Sequence, residues 1–251
     1  MSQDRGQFSS RLGFILAAAG SAVGLGNLVA FPVMASKNGG AAFLIIYLFF
    51  IAFICYPVMI AEISMGRKTQ RNPVGAFSAL SDGDRKWRLV GMLGILTPFM
   101  IAVFYTVITV WLVVYLKEIA TGGLESLADE STFSTLVGEP SLFGYLILLL
   151  GIVFTILLGG VKGGIERLAR VLMPTLAVML ILLTLFVLTL DGAVEGIKYY
   201  LVPDFSKVSL TVVNGALSQA FFSLSLGMGI LITYGSYFGR EDNIPQSTRM
   251  V

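Results

Sequence analysis

Apolar residues fall in six long blocks along this chain, at about 12–36, 41–66, 89–116, 141–161, 167–190 and 211–238. The longer polar connections lie at 67–88, 117–140 and 191–210. A helix rises about 1.5 Å per residue, so each block reaches across a hydrocarbon core of roughly 30 Å. The pattern predicts six membrane-spanning helices. The first block carries no charge, yet it contains Gly13, Gly20, Gly24, Gly26 and Pro32, and its middle, Gly24-Leu25-Gly26-Asn27, is a poor helix. A span with a weak centre must satisfy its freed backbone groups where it is buried in protein or lines a wet cavity. The sixth block repeats the feature: SAVGLGN (Ser21–Asn27) is echoed by LSLGMGI (Leu224–Ile230), each breaking at Gly-x-Gly. The two blocks cross the membrane in opposite directions. Paired glycine-interrupted spans point to a transporter site at the midplane between inverted repeats. Close helix packing through small residues is the plainer alternative for either glycine pair; the pairing, with polar residues beside both breaks, favours the site.

Composition agrees with the blocks. The chain is 56% hydrophobic and 13% charged, with a mean hydropathy of +0.85, which places it among all-α integral membrane proteins. Residues 1–10 are polar, and the run after them is too long for a signal-peptide core, so it is expected to be retained. The single Cys55 excludes an intrachain disulfide. The absence of histidine excludes His-based catalysis and His-ligated metal within this chain, and nothing in it reads as an enzyme. With the N-terminus on the cytoplasmic side, 13 of the 17 basic residues fall on inner connections, and Lys37, Lys117, Lys198 and Lys207 on outer ones. That bias predicts a multi-pass protein of the cell inner (plasma) membrane with both ends cytoplasmic. The basic clusters face anionic membrane lipids and call for no nucleic acid.

Five stretches then carry a resemblance: Arg11-Leu-Gly-Phe-Ile-Leu, Gly20-Ser-Ala-Val-Gly-Leu-Gly-Asn27, Phe31-Pro32, Lys37-Asn-Gly-Gly40 and Glu62-Ile-Ser-Met-Gly-Arg67. Gly164-Ile-Glu-Arg167, Met173-Pro174, Pro203-Asp204-Phe205 and Gln219-Ala-Phe-Phe-Ser-Leu-Ser-Leu-Gly227 continue it in order. Together they resemble the neurotransmitter:sodium symporter family, in its bacterial amino-acid branch. The broken-helix rule rests partly on this same family, so rule and resemblance are not independent. The resemblance implies a twelve-span fold in which five spans pair with the next five as an inverted repeat. Residues 1–190 would be the first repeat (spans one to five). Residues 191–251 would be an extracellular loop and span six, the start of an incomplete second repeat. A missing second half or a partner chain is expected.

The chemistry of the breaks can be read directly. An interrupted helix turns amides toward one side of the break and carbonyls toward the other, binding anions and cations respectively. The amides of Leu25 and Gly26 suit a carboxylate. Carbonyls of Gly20, Ala22 and Val23, with the oxygens of Asn27 and Ser223, suit Na⁺. No Asp, Glu, Lys or Arg lies near either break, so a zwitterion would be met by dipoles and by the ion itself. The resemblance assigns Ala22, Asn27 and Ser223 to one sodium site and Gly20 and Val23 to the other, each only partly supplied by this chain. It assigns Tyr105, Ser225 and the Phe222 carbonyl to the amino acid, with Ala22 and Ser223 also beside it and Ile101, Tyr105, Phe222 and Met228 lining the side-chain pocket. Asn27 could instead cap the second half-helix, and Tyr105 could be an ordinary buried tyrosine. Tyr47, Gln219 and Ser223 match part of the chloride site of chloride-dependent relatives. Amine-carrying relatives have an acid where this chain has Gly24, which favours an α-amino acid. An adaptable methionine in the pocket suits a hydrophobic or aromatic side chain.

Gates depart from the family pattern. Arg5 and Phe8 match the inner gate, with phenylalanine where tryptophan is usual. Asn27-Leu-Val-Ala-Phe-Pro32 replaces Asn-x-Trp-Arg-Phe-Pro, so Ala30 lacks the outer arginine. Outer closure is then expected from Phe222 and Tyr105, with Gln219 solvated. Glu62, an acid inside an apolar block, is expected to clamp span six, with proton coupling as the alternative. Gly164 and Pro174 match a motif at which span five unwinds, against a plain proline kink. The chain reads as the first half of a sodium-coupled amino-acid symporter. A half-length, non-transporting scaffold or binding subunit that needs a partner chain is the alternative.

Overall fold

Ser10 starts the first helix, its Oγ accepting a hydrogen bond from the Gly13 amide at 3.1 Å, and α1 runs over Arg11–Ala22. The computed structural model describes residues 8–123, 125, 127, 129–239 and 243–251; every regular element among them is helical. Val23 leaves α1 in extended conformation (φ −82°, ψ 109°). The chain resumes as a π-helical turn, Gly26–Ala30, and continues directly into α2, Phe31–Lys37, with Pro32 just after the π turn. The two halves of this span are bent by 59°. Next, α3 (Ala41–Phe50), a π-helical turn (Ile51–Cys55) and α4 (Tyr56–Thr69) form one rod of 29 residues.

A short α5 (Pro73–Leu80) leads to α6 (Arg85–Ala120), the longest helix at 36 residues. Then come α7 (Glu130–Val137), α8 (Leu142–Leu158), a π-helical stretch (Gly160–Glu166) that continues into α9 (Arg167–Val187), and α10 (Ala193–Leu201). A 3₁₀ turn over Phe205–Lys207 precedes α11 (Leu210–Ser223), α12 (Ile230–Gly235) and α13 (Ile244–Thr248).

Among the described residues three helices are long and apolar enough to cross a membrane: Ala41–Thr69, Arg85–Ala120 and Gly160–Val187. Counting two bent pairs as single spans, α1 with the residues to Lys37 and Ser131–Val137 with α8, gives up to five. The sixth expected span does not meet that measure. Its stretch is divided into a 14-residue α11 and a 6-residue α12 by six residues outside regular helix. Span five also differs from expectation. It does not unwind at Gly164; the stretch before α9 stays helical in π form, and Pro174 lies inside α9.

Packing concentrates on the broken helices. α4 lies on α12, α11 on α3, and α1 on α9. At the first of these contacts Gly66 and Gly235 let the backbones meet, since a Cβ on Gly66 would stand 2.8 Å from the Ser236 amide nitrogen. Small residues serve close helix approach in a membrane, where lipid is as apolar as leucine. One buried cluster joins Phe14, Cys55, Met59, Ile63, Leu231 and Phe238; a second joins Ala35, Phe43, Val212 and Ala216. By contrast α8 and α9 have no buried residue. Glu166, 1% exposed, ties the start of α9 to that of α1. It accepts from the Ser9 amide (2.8 Å), the Ser9 hydroxyl and Arg170 (2.6 Å).

Candidate functional site

Where the two breaks meet, three hydrogen bonds cross or close them. The Ser225 hydroxyl donates to the Ser21 carbonyl at 3.4 Å, Gln219 Nε2 donates to the Gly26 carbonyl at 3.2 Å, and Asn27 Nδ2 donates to the Ala22 carbonyl at 2.8 Å. Around this crossing lies a cavity of about 250 Å³ lined from three elements. The first break supplies Ser21, Ala22, Gly24, Gly26 and Asn27; α6 supplies Pro98, Ile101, Ala102 and Tyr105; the second break supplies Phe222, Ser225, Met228 and Ile230. The α6 residues follow i, i+3, i+4, i+7, one face of a helix. Apart from the Tyr105 phenol, no ionisable side chain among the described residues lines the cavity.

Of the residues expected to hold substrate, Ala22, Gly26, Ile101, Tyr105, Phe222, Ser225 and Met228 line this cavity, and Leu25 and Ser223 do not. Tyr105 is partly exposed, so it is not the ordinary buried tyrosine that the sequence also allowed. Its hydroxyl would lie 3.4 Å from a Cβ on Gly26. The Phe222 ring presses on the same glycine, its Cδ1 2.9 Å from that Cβ position. Asn27 does not cap the second half-helix; its amide seals the last carbonyl of the first half instead.

The expected sodium ligands divide between two spaces. Ala22 and Asn27 face the cavity between the breaks, while Gly20 and Val23 face a second cavity of about 490 Å³ between α1 and α9. Ser21 and Tyr234 link the two sides, Ser21 lining both cavities and Tyr234 the second. Ser223 lies elsewhere, 4% exposed. Its hydroxyl accepts from Gln219 Nε2 at 3.2 Å, and its side chain meets the Tyr47 hydroxyl. The structure thus brings the partly buried Tyr47 together with the buried Gln219 and Ser223.

Gln219 corrects an expectation. It is 7% exposed, not solvated. With alanine at position 30 and no guanidinium to meet, its amide turns onto the Gly26 carbonyl and Ser223. Buried polar groups take the partner that is available. Ala30 itself is exposed. Phe8 sits in an aromatic nest with Phe14, Tyr234 and Tyr237 (centroids at 5.5, 6.0 and 6.5 Å), and its amide donates to the Tyr237 carbonyl. It therefore joins the starts of α1 and the end of α12. Arg5 lies outside the described residues. Glu62, 7% exposed, accepts from the Gly227 amide at 2.7 Å through Oε1, which is the clamp geometry expected of it.

Sequence reasoning missed Ser21, Gly24, Pro98, Ala102 and Ile230 as lining residues. Helical spacing around Ile101 and Tyr105 would have found Pro98 and Ala102. It also missed the tie made by Glu166, whose signal was a second acid at the edge of an apolar block, four residues before Arg170.

A sequence profile of the Sodium:neurotransmitter symporter family matches residues 5–135 and 136–251. Among curated relatives, a sodium-dependent transporter of Bacillus subtilis (strain 168), YhdH, is 36% identical over 98% of this chain and 55% of its own length. The sodium-dependent neutral amino acid transporter B(0)AT1 of Mus musculus is 25% identical over 98% of this chain and 43% of its own length. Among solved structures, MhsT in complex with L-phenylalanine superposes with a TM-score of 0.86 at 45% identity, covering 97% of this chain and 56% of MhsT. The chain spans about half the length of the curated relatives it matches.

Proposed function

Because the chain belongs to the Sodium:neurotransmitter symporter family, we propose that it forms the substrate-binding half of a sodium-coupled symporter for a neutral amino acid with a large apolar side chain. One observation carries the reading: a cavity between two broken helices, lined by backbone, hydroxyl, amide and apolar groups with no carboxylate or cationic side chain. Ligand pockets commonly run from about 300 to 1,000 Å³, and this one, at about 250 Å³, suits a ligand no larger than one amino acid. MhsT, solved with L-phenylalanine, supports the aromatic end of the range.

In this reading the substrate carboxylate meets the Leu25 and Gly26 amides at the positive end of a half-helix. Na⁺ sits beside it on the Ala22 carbonyl and the Asn27 side-chain oxygen. Tyr105 donates to the carboxylate, Ser225 and the Phe222 carbonyl receive the ammonium, and the side chain lies among Ile101, Phe222 and Met228. The bound ion supplies a charge that the carboxylate needs, so each raises the affinity of the other. A second Na⁺ takes the Gly20 and Val23 carbonyls on the α9 side. Remaining ligands come from a second set of helices, supplied in cis or by a partner chain. Tyr47, Gln219 and Ser223 offer hydroxyl and amide donors suited to chloride, and Ser223 also stands with the first sodium set. Phe8 and Arg5 close the inner side, and Phe222 the outer.

Residues 1–190 form the first five-span repeat of this arrangement, and 191–251 the loop and first helix of the second. Both ends face the cytoplasm across the inner (plasma) membrane, as the basic residues require. The test is equilibrium binding of radiolabelled L-phenylalanine and L-leucine to the purified protein, with Na⁺ or K⁺ as the bulk cation. Binding in Na⁺ alone, without competition from a monoamine, is the expected result. Binding indifferent to the cation, or stronger for the amine, overturns the reading.

A further inference from the structure

The connection from α4 to α6 is built to hold a shape. Gln70 ends α4 in left-handed conformation (φ 52°), and Asn72 starts α5 by accepting from the Gly75 amide at 2.8 Å. Asp82 (φ 51°) and Gly83 (φ 87°) turn the chain, and Asp84 accepts from the Lys86 amide at 2.9 Å to start α6. The platform rests on two glycines. A Cβ on Gly91 would stand 2.6 Å from the Val74 Cα, and one on Gly229 2.6 Å from the Pro73 Cγ. So α5 is wedged between α6 and the break in the sixth span.

The outer face of this platform is basic. Lys68, Arg71, Arg85, Lys86 and Arg88 are all exposed. None is in an ion pair among the described residues. The acids of the same stretch are Asp82 and Asp84, the second occupied as a cap. Near the starts of α1 and α9, Arg11 is bonded to Ser247 and Arg170 to Glu166, while Arg167 is a single exposed cation and not part of a cluster. Beside the free cations, Trp87 is 49% exposed and stacks on Phe77, with centroids 6.1 Å apart and planes at 7°; Leu80 is 40% exposed. Tryptophan favours the headgroup level of a bilayer, and clustered Lys and Arg next to a span attract anionic headgroups.

We propose that this platform is a docking surface for anionic phospholipid. Arg71, Arg85, Lys86 and Arg88 take the phosphate, the Trp87–Phe77 stack sits at the headgroup level, and Leu80 meets the start of the acyl chain. The occupied platform braces α5 against Gly229 and so stabilises the break in the sixth span.

The test is thermal unfolding of the purified full chain in mixed micelles titrated with phosphatidylglycerol, phosphatidylcholine or water-soluble glycerol phosphate. Phosphatidylglycerol is expected to raise Tm and the other two not. The shift should fall by more than half in the Arg71→Gln, Arg85→Gln, Lys86→Gln, Arg88→Gln variant, and persist in Lys37→Gln with Lys198→Gln. An undiminished shift in the fourfold variant, or an equal rise with phosphatidylcholine or glycerol phosphate, overturns the proposal. A second measurement keeps the native platform. Trp111→Phe leaves Trp87 as the one tryptophan of the chain, and its fluorescence should be quenched more by brominated phosphatidylglycerol than by brominated phosphatidylcholine. Equal quenching overturns it. Neither readout involves sodium or an amino acid, so failure here leaves the proposed function standing.

Discussion

In the first span the chain leaves its helix for two residues, 23–24, and closes partly on itself. The Asn27 amide nitrogen donates to the Gly24 carbonyl at 3.0 Å and its side chain to the Ala22 carbonyl at 2.8 Å. In the sixth span the chain leaves for six residues, 224–229. There Ser225, Gly227 and Gly229 are all left-handed, at φ 54°, 74° and 67°. That break makes its own turn bonds, from the Ser225 amide to the Phe222 carbonyl at 3.1 Å and from the Leu226 amide to the Phe221 carbonyl at 3.0 Å, and is tied to other elements by Glu62 on the Gly227 amide, Ser225 on Ser21, and Pro73 against Gly229. The same Gly-x-Gly spelling thus does two jobs. In the first span glycine gives room, with Gly26 yielding space to the Phe222 ring. In the sixth it gives backbone freedom that other residues rarely reach. Both breaks are tied to each other through Gln219 on Gly26 and Ser225 on Ser21, but the sixth also rests on an acid of α4 and a proline of α5, so it can respond to those helices.

The largest expected effect comes from filling the space at the first break. Gly26→Val puts three carbons where the Phe222 ring and the Tyr105 hydroxyl already press. Overpacking of this kind costs about 1–3 kcal/mol. Amino-acid binding is expected to fall by about tenfold or more, equivalent to about 1.4 kcal/mol, because Phe222 must leave the cavity wall. Equilibrium binding together with thermal unfolding checks this, and unchanged binding would show that Phe222 has another place to go.

Next comes the clamp on the sixth span. Glu62→Ala removes the acceptor from the Gly227 amide, and a buried donor left without a partner costs about 1–3 kcal/mol. Glu62→Gln keeps an acceptor and should recover part of the loss. Hydrogen exchange at 224–229 should rise in the alanine variant, with 23–28 unaffected. If both stretches loosen together, the two breaks are one unit and the contrast fails.

How much of this was legible beforehand differs between the two breaks. Gly24-Leu25-Gly26-Asn27 announced a weak helix, and Gly-x-Gly announced its counterpart, because glycine content is a local property. The holders were less legible. Glu62 stood out as an acid in an apolar block, and its clamp on the sixth span was expected. Pro73 did not stand out, since nothing local says that a short connecting helix will rest on Gly229. The burial of Gln219 was misjudged for a related reason. Ala30 removed one partner, and the carbonyl of Gly26, 193 residues away in sequence, supplied another. Local chemistry tells which groups need partners, and only the folded chain tells which partners they find. The six-span count rested on block length, which does not reveal that a break shortens both halves of the last block.

A smaller effect is expected from Asn27→Ala. It removes the seal on the Ala22 carbonyl, which should cost about 1 kcal/mol in stability. Binding should weaken most at limiting sodium, because both the side-chain oxygen and the positioned carbonyl serve the ion in the proposed site. Equal weakening at limiting and saturating sodium would assign Asn27 to the substrate alone.

The smallest effect is also the sharpest test, because it sets one glycine of each break against the other with the same added methyl group. At Gly227 nothing lies within 4 Å of a Cβ, and φ is 74°. Any loss in Gly227→Ala is therefore backbone strain, about 1 kcal/mol. At Gly24 φ is not positive, and the nearest atom to a Cβ is Tyr105 Cε1 at 4.0 Å, an ordinary contact. Gly24→Ala should leave stability within about 0.5 kcal/mol of the parent, while its methyl group enters the cavity and trims the space for the largest side chains. Thermal unfolding of the two variants side by side should lower Tm for Gly227→Ala alone. A competition series from L-alanine to L-phenylalanine should then show Gly24→Ala losing affinity only at the bulky end. Equal destabilisation by both substitutions would mean that the first break, like the sixth, depends on glycine for its backbone and not for its room.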